Sequence, residues 1–226
     1  DLEAVAAMGI RLVSEDEARR LPASVLRLEL RDFDFPAIAA SLAAFGVDLS
    51  ALDGVAVAVF DHGDSPPGYS DRQFRFDYLD RRIRAENRLS AFAFRAEQIP
   101  PEMTRLQAVA RSARRDLPPD LPLVVMDTAA AAVLGATFDR NIAAQERVMI
   151  VNVGNFHTLA FRLGRSGIEG VLEHHTGLLN GERLDALLRR LAAGALQHAE
   201  VFADHGHGAL IYQPEPLDLA QGAFGV

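Results

Sequence analysis

The sequence contains no cysteine and no lysine, and each absence excludes certain functions. Without cysteine these residues form no disulfide, ligate no zinc through thiolates and hold no iron–sulfur cluster. Without lysine they supply neither the phosphate-binding lysine of a P-loop nor the amine of a Schiff base. All 23 basic residues are therefore arginine, and the net charge of −8 disfavours a general nucleic-acid binder.

Long apolar runs are also lacking. None approaches the roughly 20 residues that a membrane span requires, and no signal-peptide pattern is visible, so we expect a cytoplasmic protein without a membrane partner. The chain of 226 residues, 49% of them hydrophobic, is long enough for one large domain or two small ones. The sequence predicts no oligomeric state. Its run of arginines between residues 72 and 95 is most simply a solvated helix face, with a specific anionic partner as the alternative.

Apolar segments alternate with helical ones, as in α/β proteins built on largely parallel sheets. Predicted strands include residues 55–60, 123–126, 148–153, 158–163 and 168–173. The polar stretch 139–147 separates a first α/β subdomain, residues 1–140, from a second, residues 141–226. We expect the first subdomain to lack its N-terminal strands and the second to lack part of its C-terminal end.

The turn after the strand 148–153 is the first candidate site. A strand that ends in a glycine turn exposes backbone N–H groups that can bind a phosphate. Gly154 allows close approach of the backbone, and Asn155, His157 and Thr158 can donate hydrogen bonds to oxygen atoms. The same pattern is common in ordinary hairpin turns, so the neighbouring segments carry much of the argument.

Histidines are concentrated in the second half of the chain, where six of the seven lie between residues 157 and 207. Glu173 and His175 share a face if their strand continues, and His157 can approach from the neighbouring strand. His205 and His207, separated by one glycine, can chelate an ion, and Zn²⁺ or Mn²⁺ suits such ligands. The alternative for each histidine alone is a hydrogen-bonded or surface side chain.

Two aspartates follow apolar strands. Asp61 precedes His62 after the strand 55–60, and Asp127 precedes Thr128 after the strand 123–126. Because ligands of open α/β sheets bind beyond the carboxyl ends of the strands, either aspartate can hold Mg²⁺ through water or act as a base. The common alternative for each is a helix N-cap or a turn.

Several segments resemble an uncharacterised prokaryotic family whose members are often labelled pyruvate formate-lyase activating enzymes. They are VVMDTAAAAVLGA (124–136), VMIVNVGNFHTLAFRL (148–163), GVLEHHTG (170–177) and DHGHGA (204–209). Genuine activating enzymes of that name use a three-cysteine iron–sulfur motif and radical chemistry, and this sequence has no cysteine.

The order of elements also resembles the actin-like ATPase superfamily of Hsp70 chaperones and sugar kinases. The resemblance implies a ribonuclease-H-like fold with mixed, mostly parallel sheets, and it places residues 152–158 at the second phosphate loop. It implies a protein that binds ATP with Mg²⁺, or another small phosphorylated ligand, with hydrolysis or phosphoryl transfer left open. The predicted ligand-binding residues are Asn152, Gly154, Asn155 and Thr158, and the predicted catalytic residues are Asp127, His157 and His175.

Two other functions stay open. A metal-dependent hydrolase or lyase would use His157, Glu173, His175, His205 and His207 as ligands or catalytic groups. A non-catalytic regulatory module would keep the fold with a degenerate site. The second alternative is favoured by Asn152, which stands where the superfamily usually has Asp, because an amide is not an anionic metal ligand.

Overall fold

The computed structural model describes residues 6–28 and 30–226. The chain divides into two compact units, residues 1–30 and 31–226. In the first unit, helix α1 (Glu15–Arg19) begins at Ser14, and the side chains of Ser14 and Glu17 each accept a hydrogen bond from the other's backbone N–H. This capping box satisfies N–H groups that a helix start leaves unpaired. Within the described residues, no helix has the length and hydropathy to cross a membrane.

The second unit contains two sheets and the helices that pack on them. Its helices are α2 (Phe35–Ala43), α3 (Asp71–Ala85), α4 (Thr104–Asp116), α5 (Thr128–Ala136), α6 (Arg140–Ala143), α7 (Gly181–Ala192), α8 (His198–Ala203) and α9 (Leu219–Gly222). Its strands are β1 (Val55–Ala58), β2 (Ala93–Arg95), β3 (Leu123–Met126), β4 (Val148–Val153), β5 (His157–Gly164), β6 (Gly167–His175), β7 (Gly208–Ile211) and β8 (Ala223–Gly225). Short 3-10 helices occupy Leu89–Phe92 and Thr176–Leu178.

Both sheets are mixed, and the prediction of mostly parallel sheets was wrong. The three-stranded sheet has the order β1-β3-β2, with β1 parallel and β2 antiparallel to β3. The five-stranded sheet has the order β7-β6-β5-β4-β8, and β4–β8 is its parallel pair. The reason is the length of the connections, because the short turns between β4, β5 and β6 can join only antiparallel neighbours. The α/β class itself is confirmed.

Strand β4 is apolar along most of its length because both faces of its sheet are covered. Ile150 packs into a core cluster that also contains Val125 of the three-stranded sheet. Its neighbour Met149 points to the opposite face and packs with Leu191 of α7. Burial of each such side chain contributes about 1.5–3 kcal/mol to folding. The first cluster joins residues before and after residue 140. The predicted subdomain boundary there stays a prediction.

Helices α3 and α5 pack beside the region where the candidate site lies. Helix α5 begins directly after β3, and the carboxylate of Asp127 accepts a hydrogen bond from the N–H of Ala129 at its first turn. Its next residues are alanines, which leave space beside the helix and allow close contact with β4. Helix α3 buries Phe76, Leu79 and Ile83 on one side.

Candidate metal centre

Three neighbouring strands of the five-stranded sheet place histidines side by side. His157 begins β5 and is the register partner of His175 at the end of β6. His207 lies immediately before β7, and its N–H donates to the carbonyl of Glu173 at 3.0 Å. Glu173 and His175 are two residues apart on β6, so both project from the same face of the sheet. The sequence expectation that His157 approaches these two residues agrees with this register.

His62 joins this group from the loop that follows β1. The ring centroid of His62 lies 5.1 Å from that of His157 and 4.7 Å from that of His207, and the last two are 4.9 Å apart. Nε2 of His62 lies 3.0 Å from Oε1 of Glu173. One possible ligand atom from each of His62, His157, Glu173 and His207 lies within 4.8 Å of the others. We call these four residues the His₃Glu group.

The His₃Glu group has the donor set of a transition-metal site. Imidazole nitrogens and carboxylate oxygens bind Zn²⁺ and related ions at about 2.0–2.2 Å, so small side-chain movements would bring the four atoms onto one ion. His207 is only 2% exposed, and its Nδ1 is buried without a hydrogen-bond partner among the described residues. A buried polar atom left unpaired is costly, and coordination would satisfy it.

The electrostatics of the group favour metal-binding forms of its side chains. Burial lowers the pKa of His157 to about 4 and that of His207 to about 3, so both imidazoles are neutral at pH 7 and offer a lone pair. Burial by itself would raise the pKa of Glu173. Arg75 and His62 outweigh that effect, and the pKa of Glu173 is lowered, so its carboxylate is ionised.

Arg75 of α3 connects the His₃Glu group to the ends of β1 and β3. Its Nε donates to Oε2 of Glu173 at 3.1 Å, its Nη2 to Oδ1 of Asp127 at 2.9 Å, and its Nη1 to the carbonyl of Asp61 at 3.3 Å. Arg75 is 2% exposed, so the prediction of a solvated arginine face was wrong for this residue. Its ion pairs with the carboxylates of Glu173 and Asp127 offset the free energy lost when the charged guanidinium is removed from water.

Asp127 is bound on both of its carboxylate oxygens. Oδ1 accepts from Arg75 and from the N–H of Ala129, and Oδ2 accepts from the N–H of Asp61 at 2.9 Å. The N-cap considered from the sequence is therefore present. Through Arg75, Asp127 also fixes the orientation of Glu173. A catalytic or Mg²⁺-binding role for Asp127 stays a prediction.

A cavity of about 710 Å³ adjoins the His₃Glu group and includes His157 and Glu173 in its wall. Three of the four predicted ligand-binding residues, Asn152, Gly154 and Asn155, also line it. Thr158 is buried, and its hydroxyl lies 2.9 Å from that of Thr176, which donates to the carbonyl of Gly154. In the structure Thr158 therefore supports the turn that shapes the cavity wall.

The remaining predicted residues are placed differently. The ring of His175 lies 4.5 Å from that of His207 and 5.0 Å from that of His157, beside the His₃Glu group. His205 is exposed, with a φ of 63°, and lies outside the group. Sequence reasoning did not include His62 among the ligands, although its position just after an apolar strand was the signal that could have identified it.

The sequence profile of one protein family matches residues 1–223, and the chain belongs to that family, which is described as "Putative pyruvate format-lyase activating enzyme (DUF1786)". The family resemblance noted from the sequence is thus confirmed. Neither the curated proteins nor the solved structures include a match to the chain. The likeness to actin-like ATPases stays a prediction.

Proposed function

We propose that this family member binds a divalent transition-metal ion through His62, His157 and His207, with Glu173 as a fourth ligand, and uses it in a hydrolase or lyase reaction. The observation that carries the proposal is the convergence of four donor atoms within 4.8 Å of one another, with two of the four residues, His157 and Glu173, in the wall of a cavity. Four protein ligands close a tetrahedral structural zinc site, so catalysis by this group requires a further open position for water or substrate, as in a five-coordinate zinc shell or the octahedral shell of Mn²⁺.

The cavity supports the catalytic alternative. His157 and Glu173 line it, so an ion held by the group would face a space of about 710 Å³. Cavities of about 300–1,000 Å³ are typical of small-molecule sites. A divalent ion in such a position lowers the pKa of a bound water molecule and polarises a carbonyl oxygen. Arg75 would hold Glu173 in place, as partners behind metal ligands commonly do.

Metal binding is tested by titrating the EDTA-stripped 226-residue chain with Zn²⁺, Mn²⁺ and Co²⁺ in a calorimeter. We expect one high-affinity site per chain for at least one of these ions. His157→Asn and His62→Asn should each weaken binding about 10- to 100-fold or more, by analogy with the loss of supporting residues around metal sites. His205→Asn is the matched control, because His205 is exposed and asparagine tolerates its positive φ.

The outcomes of this titration are distinct. Binding that survives in His205→Asn but is lost in His157→Asn and His62→Asn supports the proposal, provided that each variant unfolds cooperatively in urea. Equal affinity in all four proteins, or no bound ion in the unsubstituted chain, would refute it. Stoichiometric binding should also raise stability by about 2.7 kcal/mol at a hundredfold excess over Kd.

A second proposal is the actin-like one, in which the cavity binds a nucleotide or another phosphorylated ligand. It is supported by Asn152 near the end of β4, by Gly154 and Asn155 of the β4–β5 turn, and by Thr128 at the start of α5, which line the same cavity. Titration with Mg-ATP and Mg-ADP tests it directly. If neither nucleotide nor metal binds, the non-catalytic regulatory module becomes the preferred function.

The family description names an activating enzyme, and genuine enzymes of that name use a three-cysteine iron–sulfur motif. An iron–sulfur cluster of that type needs cysteine thiolates, and these 226 residues contain none. The His₃Glu group is a set of nitrogen and oxygen donors, which suits a single ion such as Zn²⁺ or Mn²⁺.

A further inference from the structure

The surroundings of the His₃Glu group are balanced in charge once a divalent ion is counted. Both carboxylate oxygens of Asp61 accept hydrogen bonds from backbone N–H groups, and both of those of Asp127 accept from N–H donors. Acceptance on both oxygens is typical of ionised carboxylates. The three negative charges of Asp61, Asp127 and Glu173 equal in number the one positive charge of Arg75 plus the two of a divalent ion. The site therefore has no positive excess that would attract a phosphate dianion.

The arginine of the cavity wall, Arg105, is already paired. Arg105 donates from Nε and Nη2 to the two carboxylate oxygens of Asp32, both at 2.7 Å, and from Nη1 to the carbonyl of Phe60 at 3.1 Å. Bidentate pairs of this geometry are among the stronger charged hydrogen bonds. Among the described residues that line the cavity, the charged ones are Arg105 and Glu173, and each faces an opposite charge.

The rest of the wall is apolar with a few neutral polar groups. Its apolar members are Ala58, Phe60, Ala129, Ala131, Ala132, Phe156 and Leu159. The ring of Phe60 stacks on that of His157 at 4.7 Å, so an aromatic surface lies directly beside a metal ligand. The side-chain amides of Asn152 and Asn155 can each donate and accept, which matches the C=O and N–H of an amide.

We infer that the site takes an uncharged carbonyl compound, an amide or ester with an aromatic or branched aliphatic substituent, rather than a phosphorylated ligand. The inference rests on the proposed function, because the carbonyl oxygen would face the ion at His157 and Glu173. The substituent would lie against the alanines of α5. In hydrolysis, water adds to the carbonyl carbon, the bond to nitrogen or oxygen breaks, and the leaving atom takes the proton.

The test uses the Zn²⁺-loaded chain and three probes in a calorimeter: benzohydroxamic acid, acetohydroxamic acid and phenyl phosphate. The first two share a metal-binding group and differ in phenyl against methyl, whereas phenyl phosphate keeps the ring and adds charge. We expect benzohydroxamic acid to bind at least about tenfold more tightly than acetohydroxamic acid, which equals about 1.4 kcal/mol, and more tightly than phenyl phosphate. The preference reflects burial of the ring.

A substitution in the cavity wall locates the effect. Ala132→Leu fills space beside α5 with a good helix former, so it should remove the tenfold advantage of benzohydroxamic acid and leave zinc stoichiometry unchanged. Ala143→Leu is the control, because Ala143 is an exposed helical position outside the cavity wall.

The results separate the inference from the proposed function. If zinc binds but the two hydroxamic acids bind equally, or phenyl phosphate binds most tightly, the inference is overturned and the metal site stands. If none of Zn²⁺, Mn²⁺ and Co²⁺ binds, both are overturned. If another of these ions binds in place of Zn²⁺, the same three probes are compared on the chain loaded with that ion. If Ala132→Leu is folded and still prefers benzohydroxamic acid to acetohydroxamic acid, the inference is also overturned. If Ala132→Leu does not fold, the comparison of the three probes on the unsubstituted chain decides the inference.

Discussion

Replacing Arg75 with methionine should destabilise the protein more than any ordinary surface change. The side chains of Arg75, Glu173 and Asp127 are 3%, 2% and 7% exposed, so solvent cannot replace the lost guanidinium. Removing one partner from a buried ion pair costs about 3–5 kcal/mol, because the remaining charge is left buried without compensation. Two carboxylates lose their partner here, and methionine fills most of the vacated volume. We therefore expect a loss of about 3–5 kcal/mol in the free energy of unfolding.

The assay is urea unfolding in the presence of EDTA, followed by far-ultraviolet circular dichroism. For a unit of this size the loss corresponds to a decrease of about 6–20 °C in Tm. Arg81→Met is the matched control on the same helix, because Arg81 is 61% exposed in its pair with Glu102 and such pairs contribute about 1 kcal/mol or less. A similar small loss in both variants would refute the argument that Arg75 neutralises buried carboxylates.

The pH dependence of stability in Arg75→Met independently checks the direction in which Arg75 shifts the pKa of Glu173. In the unsubstituted protein, Arg75 and His62 overcome burial and lower the pKa of Glu173, so this contribution to stability is present at neutral pH and lost in acid. Without Arg75, burial dominates and raises that pKa above its ordinary value. The folded variant then takes up a proton as the pH falls. The difference in stability between the two proteins should therefore narrow from pH 8 to pH 5, and a widening difference would contradict the prediction.

Two further predictions concern the metal-free protein and a turn. Burial lowers the pKa of His157 to about 4 and that of His207 to about 3, so as the pH falls these two histidines take up protons in the unfolded chain before they do so in the folded protein. The free energy of unfolding in EDTA should therefore fall between about pH 6.5 and pH 4. A free energy of unfolding that does not change with pH over this range would contradict the prediction. Gly167 has a φ of 108°, and a Cβ there would lie 2.0 Å from the carbonyl oxygen of Asn87, so Gly167→Ala should cost more than about 2 kcal/mol. The control is Gly135→Ala, at an exposed helical position with open space around it, which should leave the free energy of unfolding unchanged or raise it. Equal changes in the free energy of unfolding for the two substitutions, measured with denaturant, would show that the turn at Gly167 does not require glycine.

Local patterns predicted much of the secondary structure in the second half of the chain. Strands β3 (Leu123–Met126) and β4 (Val148–Val153) have the bounds predicted for them, because continuous apolar runs ended by polar residues or turns are decided by neighbours in sequence. The alternation of a strand likewise predicted that Glu173 and His175 share a face. The short turns between β4, β5 and β6 require antiparallel pairing, which limits how parallel the five-stranded sheet can be.

The sequence by itself determined that the chain is an α/β protein with a concentration of histidines and no thiolate chemistry. Only the tertiary structure decided which of those histidines meet. His62 reaches the group from the other sheet, Arg75 turns inward from an arginine-rich helix, and His205 stays outside although it lies two residues from His207. The physical reason is that contacts between distant segments depend on strand order and on which helix face is buried. Both are set by the packing of the whole core.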